Sequence, residues 1–224
     1  MKRVVALAMG LLLLAGCGVV GAEKPAEPRL ISQMADNDIS LYYVEEGTVL
    51  LRHGNEKATF SGWGKPWLDL YYQPSMTYFD IDGDGLKELA ISTQVTRGTT
   101  FSENLHIITL EKQPWIDHVF TTDDVSTWFD KRLQYKRGEL ENTVEVTLEG
   151  ETWTIQLRKP DFSWAEPSIV SSLYYFGSSD GYTLRARSDV LEGDFPAKVT
   201  FDGEQFDIVD TYYLAPNFSG GGYP

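Results

Sequence analysis

The sequence predicts a mainly β domain: an antiparallel sheet of hairpins with one clear amphipathic helix, a β-rich α+β arrangement. Three observations predict it. Apolar and polar residues alternate with a period of two along most of the chain, Asp-Gly and Glu-Gly dipeptides punctuate the alternating runs, and a single stretch near residue 125 keeps a helical period instead.

Taken in order, residues 30–35 have the composition for a short helix, and residues 38–45 and 48–53 form a first strand pair. Thr77-Tyr78-Phe79 and Leu89-Ala90-Ile91-Ser92 are short apolar runs flanking an acidic turn, and residues 104–110 alternate as a strand in which His106 takes a sheet-facing place. A helix follows. Thr122 is its expected cap, Asp123 and Asp124 lie in its first turn, and Val125, Trp128, Phe129 and Leu133 share one face, with Lys131 and Arg132 near its end. Val144, Val146 and Leu148, then Trp153, Ile155 and Leu157, alternate on either side of Glu149-Gly150, which predicts a hairpin with one buried face. Asp180-Gly181 and Asp202-Gly203 each join two further apolar runs as hairpin turns.

The ends read differently. Lys2 and Arg3 precede an apolar run, Val4 to Ala15, that closes on Leu14-Ala15-Gly16-Cys17. Twelve apolar residues span only about 18 Å as a helix, short of a hydrocarbon core of roughly 30 Å. The segment resembles a bacterial lipoprotein signal peptide (residues 1–16) whose lipobox ends at Cys17. That resemblance implies cleavage before Cys17, lipidation of its sulfur, and an extracytoplasmic protein anchored to a membrane of the bacterial cell envelope. Cys17 is the sole cysteine, so disulfides and thiolate metal ligands are excluded from the lipidated protein. Residues 17–28, with two prolines and no apolar period, read as a flexible linker. Residues 29–214 read as one domain, and residues 215–224 as a loose tail.

The chemistry concentrates at residues 80–88, Asp-Ile-Asp-Gly-Asp-Gly-Leu-Lys-Glu. Four carboxylates in nine residues repel one another unless a hard cation sits among them, and oxygen-only ligands at alternating positions suit calcium. A twelve-residue EF-hand would need its closing acid at Ile91, which has none. A nine-residue loop fits instead: Asp80, Asp82 and Asp84 as side-chain ligands, the Leu86 carbonyl at the seventh position and Glu88 closing the shell, with Gly85 free to turn the backbone. The plainer alternative is an Asp/Gly turn without an ion.

At these residues the chain resembles the D-x-D-x-D-G-x-x-[DE] calcium loop of FG-GAP and VCBS-type repeats, which joins two antiparallel strands. The likeness covers about thirty residues, from Met76 to about Leu110. It implies Ca2+ as the bound ion, but little about function, since the loop recurs in adhesins, enzymes and receptors. The loop occurs once, and the domain is too short for the repeated blades of a full propeller.

The chain carries 33 acidic against 19 basic residues, a formal charge of −14 that becomes −16 once Lys2 and Arg3 leave with the signal peptide. Such a surface argues against nucleic acid as a partner, since phosphates need Lys and Arg, and against electrostatic grip on anionic lipid. Membrane contact is then expected through the lipid on Cys17 alone. Trp63, Trp67, Tyr71 and Tyr72, in a Gly- and Pro-broken stretch, are candidate ligand-contact aromatics; core packing is the competing reading of the same rings. His53, His106 and His118 lack metal-ligand spacing, and no nucleophile elbow, zinc-protease helix, phosphate loop or dinucleotide fingerprint is present. The expectation is a lipid-anchored calcium-binding module acting as a binding or accessory protein on a cell-surface glycan or protein. A calcium-stabilised cell-envelope hydrolase acting on polysaccharide or peptide, through a pair of carboxylates, is the alternative.

Overall fold

The structure, a computed structural model, describes residues 27–63, 73–97, 100–157, 172–178, 181–188, 191 and 193–215. Fifteen strands and one α-helix form three sheets, without a closed barrel or propeller among the described residues.

The first sheet is a four-stranded meander of β1 (Arg29–Met34), β2 (Ile39–Glu45), β3 (Thr48–His53) and β4 (Glu56–Ser61), in that order. The short helix expected at residues 30–35 is instead the edge strand β1, followed by a single 3-10 turn at Ala35–Asn37. Local composition lost to pairing there: Leu30 to Met34 line up against Tyr42 to Ile39.

The largest sheet is built around β5 (Ser75–Phe79), β6 (Glu88–Arg97) and β7 (Thr100–Thr109). β8 (Asp117–Phe120) and β12 (Ser172–Ser178) share the other edge of β7. β8 pairs antiparallel with residues 105–108, whereas β12 meets β7 in parallel at the single pair Leu173↔Ser102. Beyond β12 come β13 (Gly181–Ser188), β14 (Gly193–Phe201) and β15 (Phe206–Val209), all antiparallel. Between them in sequence, β9 (Leu133–Arg137), β10 (Thr143–Leu148) and β11 (Glu151–Gln156) make a third, three-stranded sheet. The Glu149-Gly150 turn joining its last two strands has φ of 51° and 91°, the two left-handed positions that a tight hairpin turn of this hand demands.

The helix, α1 (Thr122–Arg132), buries Val125, Trp128 and Phe129. Its cap is Thr121, one residue earlier than expected: the Asp124 amide donates to the Thr121 side chain, and the Thr121 amide donates to Asp124 Oδ2 at 2.9 Å. A cap at Thr122 would have set Val125 at the third helical position, where no side chain can complete the reciprocal pair. The Trp128 indole donates to Asp207 Oδ1 at 2.9 Å, tying the helix to β15. Among the described residues, no helix is long and apolar enough to cross a membrane.

Two apolar cores share β6 and β7 as a common wall. Ala90, Leu105 and Ile107 join a core with α1, the third sheet and β12–β15. Leu89, Ile91 and Ile108 face a second core with Ile39, Leu41, Val49 and Leu51 of the first sheet. Burial on both faces explains why residues 89–91 are uniformly apolar rather than alternating. The acidic turn at residues 80–87 hangs from the end of this wall.

Candidate metal centre

Strands β5 and β6 pair from Ser75↔Ser92 to Phe79↔Glu88, so the turn between them begins at Asp80 and Glu88 is already part of the sheet. Inside the turn the carboxylates organise the backbone. Asp80 accepts from the Gly83 amide at 2.7 Å through Oδ1 and from the Gly85 amide at 3.0 Å through Oδ2. Asp82 Oδ1 accepts from the Asp84 amide at 3.0 Å, Asp84 Oδ1 from the Leu86 amide at 2.8 Å, and Glu88 Oε2 from the Ile81 amide at 2.9 Å. Gly83 and Gly85 sit at φ of 80° and 90°, where a Cβ would strain the winding.

This winding gathers one oxygen each from Asp80, Asp82 and Glu88 to within 4.8 Å of one another, an acidic triad that can hold a metal ion. Asp80 is exposed, Asp82 half-buried and Glu88 only 1 % exposed, so the triad runs from solvent into the sheet. Glu88 Oε1 is buried without a hydrogen-bond partner among the protein atoms. Burial pushes the Glu88 carboxyl up from its ordinary range; the Ile81 amide opposes that, and the charges of Asp82, Asp84 and Asp80 reinforce it. A buried, like-charged, half-satisfied carboxylate is costly unless a cation or a proton compensates it.

The fourth expected side-chain ligand lies outside the triad. Asp84 Oδ2 pairs with Lys112 Nζ at 3.1 Å, and the Leu86 amide and Lys112 together hold the Asp84 carboxyl below its usual range. Leu86 is half-buried, its amide engaged by Asp84.

Three neighbours that the sequence reading missed brace the loop. Glu111, in the turn after β7, accepts from the Lys87 amide and from the Tyr78 hydroxyl, both at 2.9 Å. Lys112 follows it. From the other side comes the β14–β15 turn, where a Cβ on Gly203 would lie 3.2 Å from Asp82 Oδ2. Neither turn carries a ligand motif, and only the fold brings residues this distant in sequence to the loop.

Of the candidate aromatics, Trp63 is 2 % exposed. It belongs to the second core, so of its two readings the core one describes it, and it is not an exposed platform for a ligand. Trp67, Tyr71, Tyr72 and Cys17 lie outside the described residues. The Trp63 indole stacks on His106 with ring centres 4.0 Å apart and donates to Asp117 Oδ2 at 2.7 Å. His106 Nδ1 lies 3.0 and 3.1 Å from the two Asp117 oxygens, and its Nε2 lies 3.2 Å from Thr93 Oγ1. A hydroxyl, an imidazole and a carboxylate in this order have the connectivity of a hydrolase relay. Thr93 is 0 % exposed and His106 1 %, however, so no substrate reaches the hydroxyl, and the cluster acts as a polar pin joining β6, β7 and β8.

No protein-family model, curated protein or solved structure matches the chain, and the triad's own geometry carries the functional argument.

Proposed function

We propose that this chain is a calcium-binding module, lipid-anchored through Cys17 on the extracytoplasmic side of a bacterial membrane, serving as a binding or accessory protein for a cell-surface glycan or protein. The observation that carries the calcium part is Glu88: a carboxylate 1 % exposed, with one oxygen unpartnered, in a triad with Asp80 and Asp82. A divalent ion would compensate that buried charge, and an all-oxygen donor set suits a hard cation such as Ca2+. The lipobox-like residues at Cys17 support the address. The binding role is preferred to the hydrolase because the sequence carries no catalytic motif; the Thr93–His106–Asp117 cluster is sealed from solvent and supplies none, and a carboxylate-pair hydrolase is the reading that a substrate screen tests.

Extracellular calcium modules bind at roughly 10⁻⁴ to 10⁻³ M, so about 1 mM calcium should add about 0.4 to 1.4 kcal/mol to stability. For a domain of this size that is a rise in Tm of about 1 to 5 °C. Calorimetric titration and thermal melts of the full chain in mild detergent should show this effect, and Asp82→Ala and Glu88→Ala should remove it. A wild-type chain with neither heat of binding nor a shift in Tm overturns the assignment. Turnover in a screen of glycan and peptide substrates would replace the binding role with the hydrolase.

A further inference from the structure

Asp84 occupies the fifth position of the loop, yet its carboxylate is not among the three that converge: Oδ1 accepts from the Leu86 amide and Oδ2 from the Lys112 ammonium 3.1 Å away. Lys112 is brought there by a turn that does not depend on it. Its neighbour Glu111 is fixed to the Lys87 amide through one oxygen and to the Tyr78 hydroxyl through the other. The Lys112 side chain is itself 64 % exposed, so its placement over the loop is electrostatic rather than enforced by packing.

Resting on the calcium reading above, we infer that Lys112 is an internal competitor of the metal: a tethered cation that occupies Asp84, must release it for the coordination shell to be completed, and so sets the calcium concentration at which the loop fills. A calcium ion takes six to eight oxygens, and the three gathered carboxylates leave room in that shell. Recruiting Asp84 costs its pair with Lys112. The ammonium also remains close to the incoming ion as a like charge, so both effects weaken binding. The pair is solvent-exposed, which bounds its strength to that of ordinary surface ion pairs and makes it sensitive to salt. Lys112 therefore tunes the threshold of the site without serving as a ligand.

Calorimetric titration of Ca2+ into the full chain, its Lys112→Gln variant and its Lys112→Arg variant tests the inference. Lys112→Gln should bind calcium about two- to fivefold more tightly than wild type, and Lys112→Arg, which keeps the charge, should stay near the wild-type value. The gap between Lys112→Gln and wild type should narrow when salt is raised from about 50 mM to about 0.5 M. If wild type binds calcium and Lys112→Gln binds equally or more weakly, or if Lys112→Arg tightens as much as Lys112→Gln, the competitor role is wrong while the metal site stands. If neither wild type nor Lys112→Gln binds, the calcium reading falls and this inference falls with it.

Discussion

The acidic turn at residues 80–88 and the buried cluster of Thr93, His106, Asp117 and Trp63 both draw on β6, through Glu88 and Thr93, and differ in how their charges are closed. In the buried cluster, protein atoms engage both oxygens of Asp117, through His106 and the Trp63 indole, and both nitrogens of His106, through Asp117 and Thr93. In the acidic turn, three carboxylates converge and the most deeply buried of them keeps an oxygen without a partner. A polar cluster completed by the chain itself does structural work. One that the chain leaves incomplete is where an external cation has something to gain, and that distinction separates the two more reliably than the identity of the residues.

The largest effect that could break this comparison comes from the closed cluster. Asp117→Ala would leave the Trp63 N–H and the His106 Nδ1 buried without an acceptor, at a cost of about 3 kcal/mol in urea-monitored unfolding. Calcium affinity should stay within about twofold of wild type. A large loss of stability only in the presence of calcium would mean that the two clusters are one unit.

Glu88→Gln is the matching test at the open cluster, and its sign is opposite. Removing a buried, uncompensated charge should stabilise the calcium-free protein by about 1 kcal/mol, while abolishing the stabilisation that calcium confers. A thermal melt with and without chelator separates the two consequences. Destabilisation of the calcium-free protein by Glu88→Gln would mean that the chain already compensates the carboxylate well and that the acidic turn is as closed as the buried cluster.

How much of this was legible in the sequence follows the range of the forces involved. The loop's winding is local, with every bond from a loop amide to one of the loop's own carboxylates closing within seven residues, so spacing alone located Asp80, Asp82 and Glu88. The hairpin at Glu149-Gly150 was readable for the same reason. The helix cap was misplaced by one residue although its signal was present, since Thr121 stands three residues before Asp124. What could not be read were contacts made by distant segments: Lys112 pairing with Asp84 across 28 positions, Gly203 closing on Asp82, and Trp63 donating to Asp117 across 54. Residues 29–34 paired as a strand for a similar reason, since the edge of β2 was available and their own helical tendency was weak.

The smallest predicted effect sharpens the contrast with a third carboxylate, on β7. Glu103 Oε2 accepts from the Tyr175 amide at 2.8 Å, bridging the seam where β7 and β12 share a single parallel pair. Burial raises the Glu103 carboxyl above its ordinary value of 4.5, and the hydrogen bond from Tyr175 only partly offsets this. The folded protein therefore holds this proton more tightly than the unfolded chain does. The resulting stabilisation is complete below about pH 4.5 and is lost as pH rises through the folded value. At neutral pH the ionised carboxylate is a net burden, and Glu103→Gln, whose amide oxygen can still accept from Tyr175, should stabilise the protein by under about 1 kcal/mol. Urea titrations from about pH 4 to 8 should show that gain growing with pH. The gain should be the same with calcium and with chelator, because Glu103 has a backbone donor to answer its charge and no converging carboxylates. A calcium-dependent gain would mean that ion binding at the turn alters the β7–β12 seam.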